Sequence, residues 1–318
     1  MQTLPGNAST ISGQTDTIFV VLIGLSVFFS LSVFTAIIYL SIKYRRGAKV
    51  DRSNPPTHNL KLEALWIGVP LVLALGMFTW AATSYFNIVN PPANALEIFV
   101  VGKQWMWKFQ HPTGQSEIDD LHVPMGRPVK LTMISEDVIH SFFVPAFRVK
   151  QDVLPGRYTS LWFQATQPGI YYLFCTQYCG ADHSEMGGRI IVLEPEAYQQ
   201  WLSAGTVVQA PQANAISLAA EGEQLFQASG CSACHVDEGK GVGPSLVGLY
   251  GSQVALDDSS SALADDTYLH ESILDPNRKI VAGYHGIMPT YRDQLTEDQV
   301  VQLIAYIKSL TGTQQVKR

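Results

Sequence analysis

The four cysteines of this 318-residue chain fall into two close pairs. The second pair lies in Cys231-Ser232-Ala233-Cys234-His235. C-x-x-C-H is the attachment pattern of a c-type haem, with two thiols forming thioethers and the following His ligating iron. A disulfide, or half of a zinc site, is the plainer reading of such a pair. Neither uses His235, and no second ligand pair comes after it for zinc. A low-spin haem wants a sixth ligand, often Met. Met288 is the only Met after the motif; its plainer role is core packing. The first pair opens Cys175-Thr176-Gln177-Tyr178-Cys179-Gly180-Ala181-Asp182-His183-Ser184-Glu185-Met186. Two thiols, an imidazole and a thioether make a soft ligand set suited to copper. Zinc is the structural alternative, but a thioether is a poor zinc ligand. A further imidazole is available at His140, in Asp137-Val138-Ile139-His140-Ser141-Phe142-Phe143-Val144-Pro145.

These residues need elements to hold them. The chain is uncharged between Asp16 and Lys43 and again from Ala64 to Leu96. Each stretch is long enough to cross a hydrocarbon core of about 30 Å as a helix. Helices are expected near 17–42 and 62–86, making residues 1–90 a two-helix transmembrane hairpin. The segment before Ile18 has no basic residue, which argues against a cleavable signal. Lys43, Arg45, Arg46, Lys49, Arg52 and Lys61 fill the connecting loop and place it on the cytoplasmic side, so that the chain beyond residue 86 faces outward. Residues 1–86 carry six basic against three acidic groups, 87–196 eight against eleven, and 217–318 seven against thirteen. No basic patch exists outside the membrane-flanking loop, which excludes a nucleic-acid binder. The acidic outer region suits a basic protein partner.

Residues 91–200 read as short strands (Leu96–Val101, Trp105–Gln110, Val129–Ile134, Ser160–Gln164, Gly169–Phe174, Gly188–Leu193) with Gly and Pro at the turns, the pattern of a β-sandwich or barrel. Ala, Gln, Val and Pro mark a linker at 201–216. Residues 217–318 close on an amphipathic Asp298–Leu310, so the last domain is expected to be all-α.

The last domain resembles class I cytochrome c, through the C-x-x-C-H motif, the aromatics Phe226 and Tyr306, and Gly243-Pro244. The resemblance implies that Phe226 and Tyr306 meet where the terminal helices cross. It also implies that the Pro244 carbonyl accepts the His235 N–H and that Met288 is the sixth ligand. Residues 15–195 resemble subunit II of cytochrome c oxidase, a haem-copper oxidase family. The likeness rests on C-x-x-x-C-G-x-x-H-x-x-M, Gly102-Lys103-Gln104-Trp105-Met106-Trp107, the run around His140, and Asp152-Val153-Leu154-Pro155-Gly156-Arg157. It implies a cupredoxin-like domain with a dinuclear copper centre, CuA, in which Cys175 and Cys179 bridge two copper ions. His140 and His183 would cap one ion each, with Met186 and the carbonyl of Gln177 as weak ligands. Many members carry Glu at position 177, where the side chain also helps bind magnesium; Gln there puts the magnesium in doubt. Trp105 matches the family's electron-entry tryptophan, though an ordinary strand aromatic reads the same way. Glu63, at the start of the second span, matches a Glu at the mouth of a proton-uptake path.

Together these imply the electron-entry subunit of a caa-type respiratory oxidase. Electrons would pass from one covalent haem c to CuA and on to catalytic subunit I, which reduces O2 with proton pumping, with subunit III as a further partner. The donor would be a soluble or membrane-bound cytochrome c or a quinol–cytochrome c reductase, and the location a bacterial inner membrane with both cofactor domains periplasmic. A tether at 201–216 would give the haem domain a local concentration of order millimolar. The same input module also serves copper-containing nitric oxide reductases. A membrane-tethered copper carrier that moves no electrons is the third reading, and it leaves the haem motif unexplained.

Overall fold

In the computed structural model of the chain, the residues described are 6–51, 53, 58–204, 217–236 and 241–310. The chain divides into two compact units, Thr10–Pro91 and the residues from Pro92 onward with the first few residues.

The first unit holds α1 (Thr10–Lys43) and α2 (Leu60–Val89), both longer than the sequence pattern alone indicates. Both are long and apolar enough to cross a membrane. Several polar side chains within them bond to the helix backbone or across the hairpin, as apolar surroundings favour. Ser32 and Thr79 hydroxyls donate to the carbonyls of Phe28 and Leu75 four residues back, and Gln14 Nε2 donates to Ser84 Oγ at 2.7 Å. At the start of α2, Asn59 Oδ1 accepts from the Leu62 N–H, and Glu63 Oε1 accepts from the Asn59 N–H at 3.3 Å. Glu63 therefore caps the helix start.

In the second unit, β1 (Leu96–Lys103), β2 (Met106–Gln110), β3 (Ser116–Ile118), β4 (Asp120–Pro124), β5 (Pro128–Ser135), β6 (His140–Val144), β7 (Val149–Val153), β8 (Thr159–Gln164), β9 (Gly169–Cys175) and β10 (Gly187–Leu193) build a sandwich. One sheet has the order β3-β2-β1-β5-β8 and the other β4-β10-β9-β6-β7. Ile98, Val100, Trp107, Phe109, Leu131, Phe142, Val144 and Ile190 are fully or almost fully buried in it. This is the cupredoxin-like domain. The six strands read from sequence are present to within two residues. Four others escaped notice for physical reasons. β3 has only three residues, β4 carries Asp120 and His122 among its apolar positions, and β6 and β7 join through a tight turn at Pro145–Phe147. Trp105 lies just before β2 rather than within it.

A helix, α3 (Pro195–Ala204), comes after the sandwich and takes up the start of the stretch read as a linker; 205–216 lie outside the described residues. The helical domain has α4 (Leu218–Ala228), a short hairpin of β11 (Gln253–Ala255) and β12 (Ser261–Leu263), α5 (Asp266–Leu274) and α6 (Glu297–Ser309). Helices α4 and α6 start on side-chain caps, Ser217 and Thr296, the latter in a reciprocal pair with Gln299. They cross where Phe226 meets Tyr306, ring centres 5.3 Å apart.

The two domains of this unit share a core. Side chains alternate across a strand, so Ile98 and Val100 of β1 enter the sandwich while Phe99 and Val101 face away. Those two, with Ile134 and Tyr158, join a buried cluster with Val300, Ile304 and Ile307 of the helical domain. At the edge of that seam is Glu97. Burial opposes its charge, but Lys308, Lys130 and the Thr132 hydroxyl hold its carboxyl down to about 2. A carboxyl lowered from its ordinary 4.5 contributes stability in full above 4.5 and loses it as pH falls toward 2. The stability difference between the unsubstituted chain and Glu97→Gln is therefore expected to be constant from neutral pH to about 4.5. It then shrinks toward pH 2, as thermal melting across that range would show.

Candidate functional site

The loop between β9 and β10 gathers the cysteine-rich residues that the sequence marks for copper. Cys175 ends β9, and its N–H donates to the Met186 carbonyl at 3.1 Å, closing the loop on itself. The Cys175 and Cys179 sulfurs stand 3.9 Å apart and unbonded, both buried. His140 Nδ1 is 4.0 Å from the Cys175 sulfur, and His183 Nδ1 is 3.4 Å from the Cys179 sulfur. Met186 Sδ is 3.7 Å from Cys179, and the Gln177 carbonyl oxygen is 3.3 Å from Cys175. All six candidate ligands thus converge on one place. Among the described residues, His140, Cys175 and Cys179 form the one cluster of His, Cys and acidic side chains close enough to hold a metal ion together.

Charge fits the same purpose. Burial works against ionising either thiol. Contacts with the His140 ring and the Ser141 backbone nevertheless hold Cys175 down to about 6. Burial and the charge on Cys175 then push Cys179 up to about 12. One thiolate thus opposes the other, and ionising both calls for bound cations. This soft, buried, cation-seeking set fits copper.

The supporting groups were less visible in the sequence. His140 Nε2 donates to Asp137 Oδ1 at 2.8 Å, a contact that turns Nδ1 toward the sulfurs. Burial opposes the charge on Asp137, but the N–H of Gln104, the His140 ring and the N–H of Val138 keep its carboxyl below the usual range. Gln104 also donates through Nε2 to the Cys179 carbonyl at 2.7 Å. Trp105 leans on the same segment: a Cβ added to Gly180 would lie 3.3 Å from its ring. Asp137 and Gln104 sit inside runs that sequence reading singled out, but nothing in a hydrogen-bonding side chain beside a ligand announces which backbone it will hold.

The second site is a cavity in the helical domain. Phe226, Leu249, Leu269, Ile273, Leu303 and Ile307 line it, with Cys231, Cys234, His235, Pro244 and Met288 at its wall. His235 Nδ1 donates to the Pro244 carbonyl at 2.8 Å, turning Nε2 toward the cavity. A Cβ on Gly243 would press on that ring at 2.9 Å, so only Gly fits. An apolar slot with two thiols and an oriented imidazole fits a covalently held haem. His285, which the sequence reading passed over, lines the same cavity three residues before Met288.

Comparison with known proteins agrees with both sites. Residues 113–194 match the family model described as cytochrome c oxidase subunit II, periplasmic domain, and residues 219–311 match cytochrome c. Cytochrome c oxidase subunit 2 of Alkalihalophilus pseudofirmus is 31% identical over 292 residues, covering 88% of this chain and 82% of that one. The protein belongs to the cytochrome c oxidase subunit 2 family. The same subunit of Thermostichus vulcanus is 31% identical, covering 62% of this chain and 77% of its own length. The alternative cytochrome c oxidase subunit 2 of Bradyrhizobium diazoefficiens is also 31% identical, covering 54% and 74%. As a family member, this chain is a membrane-anchored subunit of an oxidase complex. It joins a CuA-type copper domain on the outer side of the membrane to a haem c domain, the fused architecture of caa-type oxidases.

Proposed function

We propose that this subunit is the point where electrons enter the oxidase. When bound, one haem c and a pair of copper ions supply one-electron transfer between an outer donor, a cytochrome c or a quinol–cytochrome c reductase, and the catalytic subunit I that reduces O2 with proton pumping. The chain's residues do the holding. Cys175 and Cys179 would hold the copper through their sulfurs, His140 and His183 through one Nδ1 each, and Met186 Sδ and the Gln177 carbonyl would complete the set. Asp137 turns the His140 ring toward the sulfurs, and Gln104 and Trp105 brace the loop from outside. A set of ligands held this firmly changes shape little as charge comes and goes, which favours fast transfer. Cys231 and Cys234 would hold the porphyrin through thioethers, and His235 and Met288 would supply its iron ligands.

The observation that carries this reading is the convergence of four further donors on two unbonded, buried sulfurs 3.9 Å apart. Metal and haem counting with EPR on the purified oxidase tests it. Two coppers sharing one spin and one covalent haem per chain are expected; a Cys175–Cys179 disulfide in the active, loaded protein overturns it. The two apolar helices support a two-pass subunit of a bacterial inner membrane, with subunit III as a further neighbour. Glu63 is proposed at the mouth of a proton path as well as at a helix cap. Proton uptake that is slowed in Glu63→Ala, with copper and haem content unchanged, is the expected result, and unchanged uptake dismisses the role.

A further inference from the structure

A charged cluster lies where the helical domain meets the sandwich. Lys308 Nζ on α6 stands 2.8 Å from Asp266 Oδ1 of its own domain and 3.1 Å from Glu97 Oε2 on β1. The Lys308 side chain is only 16% exposed. Its ammonium lies 5.1 Å from the ring centre of Phe99 and 4.7 Å from that of Tyr250. Both carboxylates are held from behind. Glu97 accepts from Lys130 and Thr132, each at 2.7 Å, and Asp266 accepts from the Tyr250 hydroxyl at 2.9 Å. One ammonium therefore joins carboxylates from two different domains. Removing one member of a buried cluster leaves the others uncompensated, so the cluster favours a single pose. A second pin runs from Lys108 on β2 to Asp298 at the start of α6, at 3.4 Å.

The elements so joined are the ones that wall the two sites. Leu303 and Ile307 of α6 line the haem cavity, and Lys308 is the next residue. Val101 of β1 belongs to the shared core, and Gly102 is its neighbour; a Cβ there would lie 3.1 Å from the His140 ring. One helix and one strand thus stand between the haem cavity and a copper ligand.

We propose that Lys308, with Glu97 and Asp266, is a positioning cluster that locks the haem domain onto β1 in one pose for electron transfer. Transfer then starts from a docked domain and not from one swinging on a tether. A single electron passes from reduced haem to oxidised copper, and no bond is made or broken. The proposal rests on the electron-entry reading of the two sites.

Hydroxyl-radical footprinting of the purified oxidase complex tests it, together with time-resolved haem oxidation. Phe99 and Tyr158, 4% and 9% exposed, report on the seam, and Tyr268, 5% exposed, reports on the interior of the haem domain. Lys308→Met is expected to raise labelling of Phe99 and Tyr158 by about threefold or more while Tyr268 stays unchanged. It is expected to slow haem-to-copper transfer about tenfold or more, because small misplacements of reacting groups are costly. Lys308→Arg restores both. Glu97→Gln, which leaves the haem domain's own residues intact, opens the seam in the same way and carries the decision if Lys308→Met also exposes Tyr268. Phe99 and Tyr158 that stay shielded in both variants, or that label freely in the unsubstituted complex, overturn the proposal. Failure of the electron-entry reading looks different: the seam stays shielded, but the copper pair or the haem is missing.

Discussion

Cys175→Ser is expected to abolish donor-driven O2 turnover, by more than about a hundredfold, while leaving haem c content unchanged. The size comes from the ligand set. Losing a residue that merely orients a ligand costs about 10–100-fold in metal affinity or activity, and losing a sulfur that both ions would share costs more. Serine nearly matches cysteine in size, and the Cys175 N–H would still reach the Met186 carbonyl. Its hydroxyl, however, stays protonated and is a hard donor, so a soft metal gains nothing from it. Metal analysis should show copper falling below two per chain, and EPR should show the shared spin replaced or lost. Turnover within a few-fold of the unsubstituted oxidase would remove Cys175 from the copper set.

The second large effect is one of stability. Gly222→Ala is expected to destabilise the haem domain by about 3 kcal/mol or more, at the upper end for overpacking. A Cβ at this position would lie 2.0 Å from the Gln302 carbonyl oxygen and 2.8 Å from Tyr306 Cβ. Both contacts come from α6, and one is backbone, so no side-chain rotation relieves them. For a domain of this size that loss corresponds to a fall in melting temperature of roughly 12–24 °C. Thermal melting followed through haem absorbance measures it, with the copper signal as an internal control. A variant that melts within a few degrees of the unsubstituted chain would mean that α4 and α6 can separate at little cost.

Much of this was legible in the residues themselves. Haem attachment needs two thiols and an imidazole in a fixed short span, so Cys231, Cys234 and His235 declare themselves. The copper loop does likewise, because Cys175, Cys179, His183 and Met186 are contiguous enough to converge without long-range folding. His140 comes from another strand, and it was found through the run around it. What stayed hidden depends on contacts between distant segments. Asp137 matters because β6 brings its neighbour His140 under the copper loop. Gln104 matters because its amide reaches Cys179, 75 residues away. Lys308 reads as an ordinary basic residue in the last turn of a helix, a common place for one. Only the fold sets it against Glu97, 211 positions earlier. The stretch read as a linker at 201–216 implied only a raised local concentration of the haem domain, and the partner surface on β1 was masked by a strand pattern that reads as simply hydrophobic.

Strand β1 has a bearing on how this subunit could have been assembled from older parts. In a free-standing copper domain the side of β1 carrying Phe99 and Val101 would face water and favour polar residues. Here it is greasy because a lodger covers it. Cutting the gene at the tether should therefore yield a copper fragment that self-associates, and grafting the haem module onto an unfused relative should need matching changes at 97, 99, 101 and 134.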